Sequence, residues 1–221
     1  MLNFPNGIIL VTGATGTGKS TTLYSFLQKL NIEGSNLITV EDPIEMDIKG
    51  INQVQVNSDI GLDFATVLRS ILRQDPNVIM IGEIRDSETA QIAVRASITG
   101  HLVLSTIHTN NSLNTIERLL DMDVERYLLA SALTGIVSQK LARKLCNKCK
   151  IKRPVTVTEK NLFKSVLGLD INEVFSPNST GCPNCNHGYH GRIAIQEVLL
   201  INQDIRDAIS AGIRKDELRH L

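Results

Sequence analysis

The amino-acid sequence predicts an α/β fold with a mainly parallel sheet flanked by helices. Short apolar runs alternate with segments of helical periodicity, and a glycine-rich motif joins the first run to the first helix. Turn or polar residues bound each run, which is typical of strands buried on both faces of a parallel sheet. The predicted strands are Ile8–Val11, Leu37–Val40, Val78–Ile81 and Leu102–Ser105.

The intervening segments carry helical patterns. From Phe64, apolar residues recur at the i, i+3, i+4, i+7 and i+8 spacing of one helix face. Further helices are predicted at Ser87–Ile98, at Leu113–Leu120 and over the whole of Val124–Leu145, the last with an interruption at Gly135.

Composition and charge exclude several classes of protein. The 221-residue chain has a formal net charge of zero, from 23 Lys and Arg residues against 23 Asp and Glu residues. No whole-molecule field therefore attracts it to nucleic acid or anionic lipid. Its apolar runs are shorter than the roughly 20 residues that cross a bilayer, and its start lacks the basic region of a signal peptide. We expect an intracellular protein with no transmembrane segment and no nucleic-acid partner.

The character of the sequence changes after Leu145, which predicts two folded parts. Residues 1–145 form the expected core, and residues 146–190 form a small lobe that holds every cysteine. Residues 191–221 return to the core and end in a C-terminal helix. Between these limits we expect one short helix at Asn161–Leu169 and a strand at Ile193–Ile201.

A phosphate-binding loop follows the first predicted strand. The pattern G-x-x-x-x-G-K-[ST] is complete, and helical residues follow it. Glycines let backbone N–H groups turn towards a β-phosphate, Lys19 supplies a cation to the β and γ oxygens, and the Ser20 hydroxyl is suited to ligate Mg²⁺. The predicted nucleotide-binding residues are Gly13, Ala14, Thr15, Gly16, Thr17, Gly18, Lys19, Ser20 and Thr21.

Acidic residues follow two other predicted strands. Because the carboxyl ends of parallel strands meet at one edge of the sheet, Glu83 is expected at the same edge as the phosphate-binding loop. It would hold Mg²⁺ together with Ser20 or activate water. Glu41 and Glu45 follow the second strand and point to the same edge. A plain surface position for Glu83 and a solvated acidic loop for the other two are the alternatives.

Four blocks of sequence, residues 9–24, 38–45, 72–97 and 99–110, together resemble the secretion ATPase superfamily, in particular its type IV pilus assembly and type II secretion members. The resemblance covers nearly the whole chain. In that family the blocks are the Walker A motif, the Asp box, the Walker B motif and the His box, and they line one ATP site. The resemblance therefore implies a RecA-like P-loop NTPase with ATP and Mg²⁺ as cofactors.

The resemblance also implies roles for five side chains. Glu83 would be the Walker B catalytic glutamate, and Glu41 and Glu45 would be the Asp-box carboxylates near Mg²⁺ and the attacking water. His101 and His108 would be the His-box histidines, with His108 sensing the γ-phosphate and relaying its loss to a neighbouring subunit. From the residues alone, a histidine beside a strand is more often structural than catalytic.

The four cysteines form two Cys-x-x-Cys pairs separated by 32 residues, which favours a structural zinc site closed to water. Assembly and secretion ATPases carry a similar tetracysteine insert, whereas retraction ATPases generally lack it. Two local disulfides, free thiols, or ligation by His187 and His190 are the alternatives. The predicted zinc ligands are Cys146, Cys149, Cys182 and Cys185.

The stretch Lys140–Arg153 holds seven basic residues. Such a stretch suits contact with anionic lipid headgroups or with an acidic partner. It also suits a plain solvated face.

The resemblance implies an ATP-hydrolysing motor domain that powers type IV pilus assembly, by pilin polymerisation at the inner face of the cytoplasmic membrane. The resemblance implies a cytoplasmic homo-hexamer that acts on an inner-membrane platform protein and is peripheral to the membrane through such partners. A type II secretion ATPase is the alternative. A nucleic-acid translocase is a more distant one, disfavoured because no basic or aromatic binding loop is evident. The last alternative is a module that binds nucleotide without hydrolysing it.

The chain begins almost at the first predicted strand and ends within a helical pattern at residues 217–221. Family members continue beyond both points, and the arginines that complete their ATP site lie on the preceding domain. The resemblance thus implies a truncated motor domain. We expect it to bind nucleotide and to hydrolyse it weakly or not at all in isolation.

Overall fold

The structure, a computed structural model, describes residues 1–213 and 215–218. The strands are β1 (Gly7–Thr12), β2 (Leu37–Glu41), β3 (Asn52–Gln55), β4 (Val78–Ile81), β5 (Leu102–Ile107), β6 (Leu133–Leu145), β7 (Ile151–Pro154), β8 (Glu173–Ser176) and β9 (Tyr189–Leu200). The helices are α1 (Lys19–Leu30), α2 (Phe64–Ile71), α3 (Ser87–Ile98), α4 (Ser112–Asp121), α5 (Arg126–Ala132), α6 (Val157–Leu167), α7 (Gln203–Ala211) and α8 (Lys215–Leu218), with a 3₁₀ turn at Ser58–Ile60.

Seven strands of the described residues form one sheet in the order β3-β2-β4-β5-β1-β6-β9. Strand β1 pairs in parallel with β5 and β6, and β2 pairs in parallel with β3 and β4. Strands β4 and β5 are also parallel, whereas β7 and β8 form a separate antiparallel pair. The predicted α/β class with a mainly parallel sheet is confirmed.

Helices cover both faces of this sheet. Successive side chains of a strand point to opposite faces, so Ile8 and Leu10 pack with α2, α3, α4, α5 and α7, while Ile9 and Val11 pack with α1. All four of these side chains are fully buried. Burial on both faces explains why the central strands are continuous apolar runs without alternation.

The predicted helix over Val124–Leu145 is wrong beyond Ala132. Helix α5 ends there, and the chain continues as strand β6. This strand pairs with β1 and places Ile136 opposite Leu10.

The reason for this difference lies in the contacts of β6. Ile136 and Val137 are β-branched and buried, as suits a strand packed on both faces. A Cβ at Gly135 would come 2.5 Å from the sulfur of Met1, so this glycine makes room for a side chain that packs against the strand. The neighbouring strand, which is distant in sequence, thus overrides the local helical periodicity.

The other predicted strands and helices are present, with shifts at their ends. The helix predicted at Asn161–Leu169 begins earlier, as α6, because Thr156 and Glu159 form a capping box at its start. The strand predicted at Ile193–Ile201 is the later part of β9. Strands β3, β7 and β8 were not predicted, since each is short and at least partly exposed.

The chain divides into two compact units, residues 1–140 with 196–221, and residues 141–195. The predicted boundaries after residues 145 and 190 lie five residues from this division on each side. Within the described residues, no helix combines the length and apolarity that a bilayer crossing needs. Of the helical pattern predicted at 217–221, the first two residues belong to α8 and the rest lie outside the described residues.

Candidate functional site

The phosphate-binding loop connects the end of β1 to the start of α1. Gly16 and Gly18 have φ angles of 77° and 88°, in the left-handed region that glycine adopts without strain. A Cβ at Gly13 would come 2.3 Å from the carbonyl oxygen of Gln139, so the loop fits against β6 because glycine stands there. Helix α1 begins without a side-chain cap, which leaves its first N–H groups available to an anion. This cradle fits the triphosphate that the sequence predicts.

Lys19 folds back over the loop that precedes it. Its Nζ donates to the carbonyl oxygens of Gly13, at 2.9 Å, and of Ala14, at 3.1 Å. Desolvation lowers the pKa of Lys19, and the nearby carboxylate of Glu83 opposes this shift. Phosphate oxygens are charged acceptors and would bind the same ammonium more strongly than neutral carbonyls do.

Ser20 and Glu45 meet beside the loop. Ser20 Oγ donates to Oε1 of Glu45 at 3.0 Å, which joins the first turn of α1 to the segment that follows β2. Hydroxyl and carboxylate oxygens are the hard ligands that Mg²⁺ prefers. The donor set therefore fits this ion, and its carboxylate comes from Glu45, which the resemblance places near Mg²⁺.

Glu41, in contrast, is buried at the end of β2, with 4% of its surface exposed. Its Oε2 accepts a hydrogen bond of 2.5 Å from the Tyr24 hydroxyl. Its Oε1 accepts from Thr39 Oγ1 at 2.6 Å and from Gln53 Nε2 at 3.0 Å. Three donors satisfy both oxygens, as a buried carboxylate requires. The carboxylate oxygens of Glu41 thus bind other side chains of the protein, whereas Glu45 is exposed to solvent.

Glu83 follows β4, and only 16% of its side chain is exposed. One of its oxygens accepts a hydrogen bond from the Arg85 guanidinium, and this bond is the main reason why the pKa of Arg85 is raised. Its other oxygen, Oε2, lies 3.5 Å from Nε2 of His108. Arg85 also lies 3.7 Å from Asp42. A cation and an imidazole therefore flank the carboxylate predicted to be catalytic.

The two predicted histidines lie at opposite edges of the sheet. Strand β5 runs parallel to β1, with Leu102 opposite Gly7 and Ile107 opposite Thr12. His108 therefore reaches the edge that carries the phosphate-binding loop. His101 lies before the strand, which spans about 17 Å at about 3.3 Å per residue.

His101 is consequently not brought together with the other predicted catalytic residues. Its Nδ1 lies 2.9 Å from the carbonyl oxygen of Ala96, near the end of α3. This contact joins His101 to the last turn of α3. The pairing register that separates the two histidines cannot be obtained from their spacing of seven residues.

Hydroxyl groups hold the segment after β5 against the end of β1. Thr12 Oγ1 lies 2.5 Å from Thr109 Oγ1, accepts from the Thr109 N–H at 3.0 Å and lies 2.8 Å from the Thr109 carbonyl oxygen. Thr109 Oγ1 is also 2.7 Å from Thr115 Oγ1 in α4. The residue directly after His108 is thus fixed to the residue directly before the phosphate-binding loop.

Gln139 of β6 supports the phosphate-binding loop from behind. It is 3% exposed, and its Nε2 donates to the Thr17 carbonyl oxygen at 2.5 Å. Its Oε1 accepts from Thr22 Oγ1 at 2.8 Å and from Gln196 Nε2 at 3.1 Å. Gln139 was not among the predicted site residues because its segment was predicted as helix. An apolar strand pattern interrupted by one amide was the available signal.

The cysteines of the smaller unit form one cluster. Sγ of Cys146 lies 3.8 Å from Sγ of Cys182, and Sγ of Cys149 lies 3.6 Å from Sγ of Cys185. All four sulfur atoms lie within 4.8 Å of one another. Bonds of about 2.3 Å from zinc to four sulfurs imply sulfur separations of about 3.8 Å, so the donor set fits tetrahedral Zn²⁺. The four thiols are not joined by disulfides.

Hydrogen bonds prepare one of these thiols for metal ligation. Although desolvation raises the pKa of Cys185, hydrogen bonds from the backbone N–H groups of Cys182 and Gly188 and from the thiols of Cys149 and Cys182 together lower it to about 7. Desolvation and neighbouring thiols raise the pKa of Cys149 to about 12. Within the described residues, no histidine belongs to the cluster, and Nδ1 of His187 instead lies 3.2 Å from the Ser179 carbonyl oxygen.

The basic stretch Lys140–Arg153 is partly neutralised within the smaller unit. Lys152 pairs with Glu173, and Arg153 pairs with Glu159. Lys150 lies over the ring of Phe175, 4.4 Å from its centre. These contacts agree with a structural role for part of the stretch.

Comparisons with known proteins show the family to which the chain belongs. The family described as "Type II/IV secretion system protein" matches residues 1–221. The chain is 51% identical to the "Type II secretion system ATPase E" of Vibrio cholerae serotype O1 over 210 residues, which are 95% of this chain and 41% of the relative. It is 46% identical to the "Type IV pilus assembly ATPase PilB" of Acinetobacter baylyi over 213 residues, 94% of this chain and 36% of the relative.

A solved structure supports the same relationship. The structure titled "Crystal Structure of the Pilus Retraction Motor PilT and Bound ADP" has a TM-score of 0.71 and 34% sequence identity, and covers 99% of this chain and 53% of that chain. The chain thus spans only part of the length of its relatives. The family match extends over every residue, and the chain belongs to the type II/IV secretion system protein family.

Proposed function

We propose that this chain is the nucleotide-binding part of an ATPase that couples Mg²⁺-dependent ATP hydrolysis to mechanical work. The observation that carries the proposal is the convergence of four segments at one edge of the sheet. The phosphate-binding loop, Glu45, Glu83 and His108 follow β1, β2, β4 and β5, and hydrogen bonds or close contacts join them in pairs. The carboxyl edge of a parallel sheet is where ligands bind in such folds.

The proposal assigns a separate task to each group. The loop N–H groups and the start of α1 bind the β-phosphate, and Lys19 contacts the β and γ oxygens. Ser20 and Glu45 would hold Mg²⁺, which would neutralise charge on the phosphates. Glu83 orients the attacking water and accepts its proton. His108 hydrogen-bonds the γ-phosphate. Because His108 also contacts Glu83, loss of this phosphate changes the contacts of Glu83.

Glu41 has a supporting task in this scheme. Its two oxygens accept hydrogen bonds from three donors of the same chain. It therefore stabilises the end of β2 and is not available to the attacking water. His101 is likewise placed outside the chemistry. The predicted roles of these two residues as catalysts are therefore replaced by structural ones in the proposal.

The four cysteines would bind one structural Zn²⁺. The sulfur separations of 3.6 and 3.8 Å support this assignment, and four thiolates leave no ligand position open for water. The zinc would thus hold the two Cys-x-x-Cys turns together without taking part in hydrolysis.

We infer that the whole protein powers type IV pilus assembly by pilin polymerisation at the inner face of the cytoplasmic membrane, as a homo-hexamer working on an inner-membrane platform protein. The identity to a pilus assembly ATPase supports this role. A type II secretion ATPase is the second candidate, favoured by identity of 51% to a protein of that name against 46% for the assembly ATPase. Deleting the gene and scoring pili and secreted enzymes separately distinguishes the two.

The test of the activity is phosphate release by the full-length protein. Glu83→Gln should lower release by about 10²–10⁴-fold, the usual contribution of a general base, while nucleotide affinity is kept. Unchanged release in Glu83→Gln would contradict the assignment. Stimulation of release by DNA would instead favour a nucleic-acid translocase.

A further inference from the structure

Tyr24 connects the two glutamates that follow β2. It lies on α1, one turn after Ser20, and is 5% exposed. Its hydroxyl donates to Oε2 of Glu41 at 2.5 Å and accepts from the N–H of Glu45 at 3.1 Å. One phenol oxygen thus bridges the buried end of β2 and the exposed segment four residues later.

The chemistry of the hydroxyl suits this bridge. A phenol has one proton to donate and oxygen lone pairs with which to accept, so it can serve the carboxylate and the amide at once. Desolvation, followed by the hydrogen bond to Glu41, raises the pKa of Tyr24 to about 12. The hydroxyl carries its proton at neutral pH, and that proton is donated to Glu41.

Glu45 has two anchors on the same helix. Its backbone N–H binds the Tyr24 hydroxyl, and its side chain accepts from Ser20 Oγ at 3.0 Å. Residues four apart lie on one face of a helix, so α1 presents both groups to the same segment. Among the described residues, two hydrogen bonds join Glu45 to α1. Removing the Tyr24 hydroxyl would leave only the one with Ser20.

We propose that the Tyr24 hydroxyl is a positioning group that holds the Glu45 carboxylate against Ser20, at the place where Mg²⁺ binds with ATP. This inference rests on the proposed function. Tyr24 acts through Glu45 and touches neither nucleotide nor metal. The buried carboxylate of Glu41 provides the fixed point to which the hydroxyl is tied.

The test is a Mg²⁺ titration of the binding of a fluorescent ATP analogue to the full-length protein. Tyr24→Phe should raise the Mg²⁺ concentration at half-maximal effect by roughly three- to tenfold, the equivalent of one hydrogen bond. Affinity for the analogue in EDTA should stay unchanged. Tyr127→Phe, at an exposed tyrosine of α5, is the matched control and should leave both values unchanged. An unchanged midpoint in Tyr24→Phe overturns the proposal.

A second comparison separates positioning from general damage. Thr39→Val removes another donor to buried Glu41 without touching Glu45, so it should lower the melting temperature but leave the Mg²⁺ midpoint in place. An equal shift of the midpoint in Thr39→Val and Tyr24→Phe would assign the effect to Glu41 and overturn the proposal, as would equal losses of affinity with and without Mg²⁺.

A double-mutant cycle gives the decisive result. If Tyr24 acts through Glu45, Tyr24→Phe should have no further effect on the midpoint in a Glu45→Gln background. Additive shifts would overturn the inference. Failure of the unmodified protein to bind the analogue at all would reject the proposed function instead, so the two failures are distinguishable.

Discussion

Nε2 of His108 lies 3.5 Å from Oε2 of Glu83, although the two residues follow different strands. The segment that carries His108 is fixed in turn, because Thr109 forms hydrogen bonds with Thr12 at the end of β1. Three strand ends are thus linked through side chains directly beside the phosphate-binding loop. A change in the contacts of any one strand end should therefore shift the side chains at the other two.

The two histidines should respond differently to substitution. In the full-length protein, His108→Ala should lower the rate of phosphate release by about 10–100-fold, since one hydrogen bond to a charged group contributes about 1.5–3 kcal/mol. His101→Ala should leave release nearly unchanged and lower the melting temperature, because its contact with Ala96 lies at the far edge of the sheet. Equal losses of release in both variants would contradict the separation of the two histidines.

Thr12→Val should loosen the segment that carries His108. The valine keeps the shape of the side chain but leaves the Thr109 N–H without its partner, at a cost of about 1–3 kcal/mol in the free energy of unfolding. Release of phosphate should fall while nucleotide affinity changes little. Urea unfolding and single-turnover kinetics measure the two effects. Thr12→Ser retains the hydroxyl and should restore both values, and its failure to do so would argue against this role.

Gln139→Ala should weaken nucleotide binding by removing support from the phosphate-binding loop. It removes the donor to the Thr17 carbonyl oxygen and the acceptor for Thr22, both within or next to the loop. We expect a loss of roughly tenfold in affinity for an ATP analogue, corresponding to about 1.4 kcal/mol. Gln91→Ala on α3 is the matched control. An affinity that stays at the wild-type value in Gln139→Ala would show that the loop needs no support from β6.

Removal of the metal should unfold the smaller unit. The purified chain should contain about one zinc ion per molecule, and a strong chelator should release it. Cys146→Ser should abolish zinc binding and expose residues 141–195 to proteolysis. Glu83→Gln should keep its zinc, which provides the matched control. Intact resistance to proteolysis after complete removal of zinc would exclude the structural role.

The phosphate-binding loop is the part of the site that sequence analysis predicted most directly. Its glycines, Lys19 and Ser20 are consecutive, so local geometry suffices to form the cradle between β1 and α1. The apolar strands before Glu41 and Glu83 were equally accessible, because burial on both faces leaves a continuous apolar run. The spacing of the cysteines likewise predicted their meeting, and the four sulfur atoms do cluster.

The sequence by itself determined the α/β class, the loop that receives a phosphate and the strand ends that carry acidic residues, since each depends on neighbours along the chain. Only the tertiary structure decided which of those residues meet. Strand β6 forms because β1 lies beside it, and Gln139 thereby reaches the loop. The parallel register of β5 brings His108 to Glu83 and leaves His101 at the other edge. Burial turns Glu41 into an anchor while Glu45 remains exposed. Strand pairing and burial depend on residues that are distant in sequence, so local sequence patterns alone do not predict which residues meet.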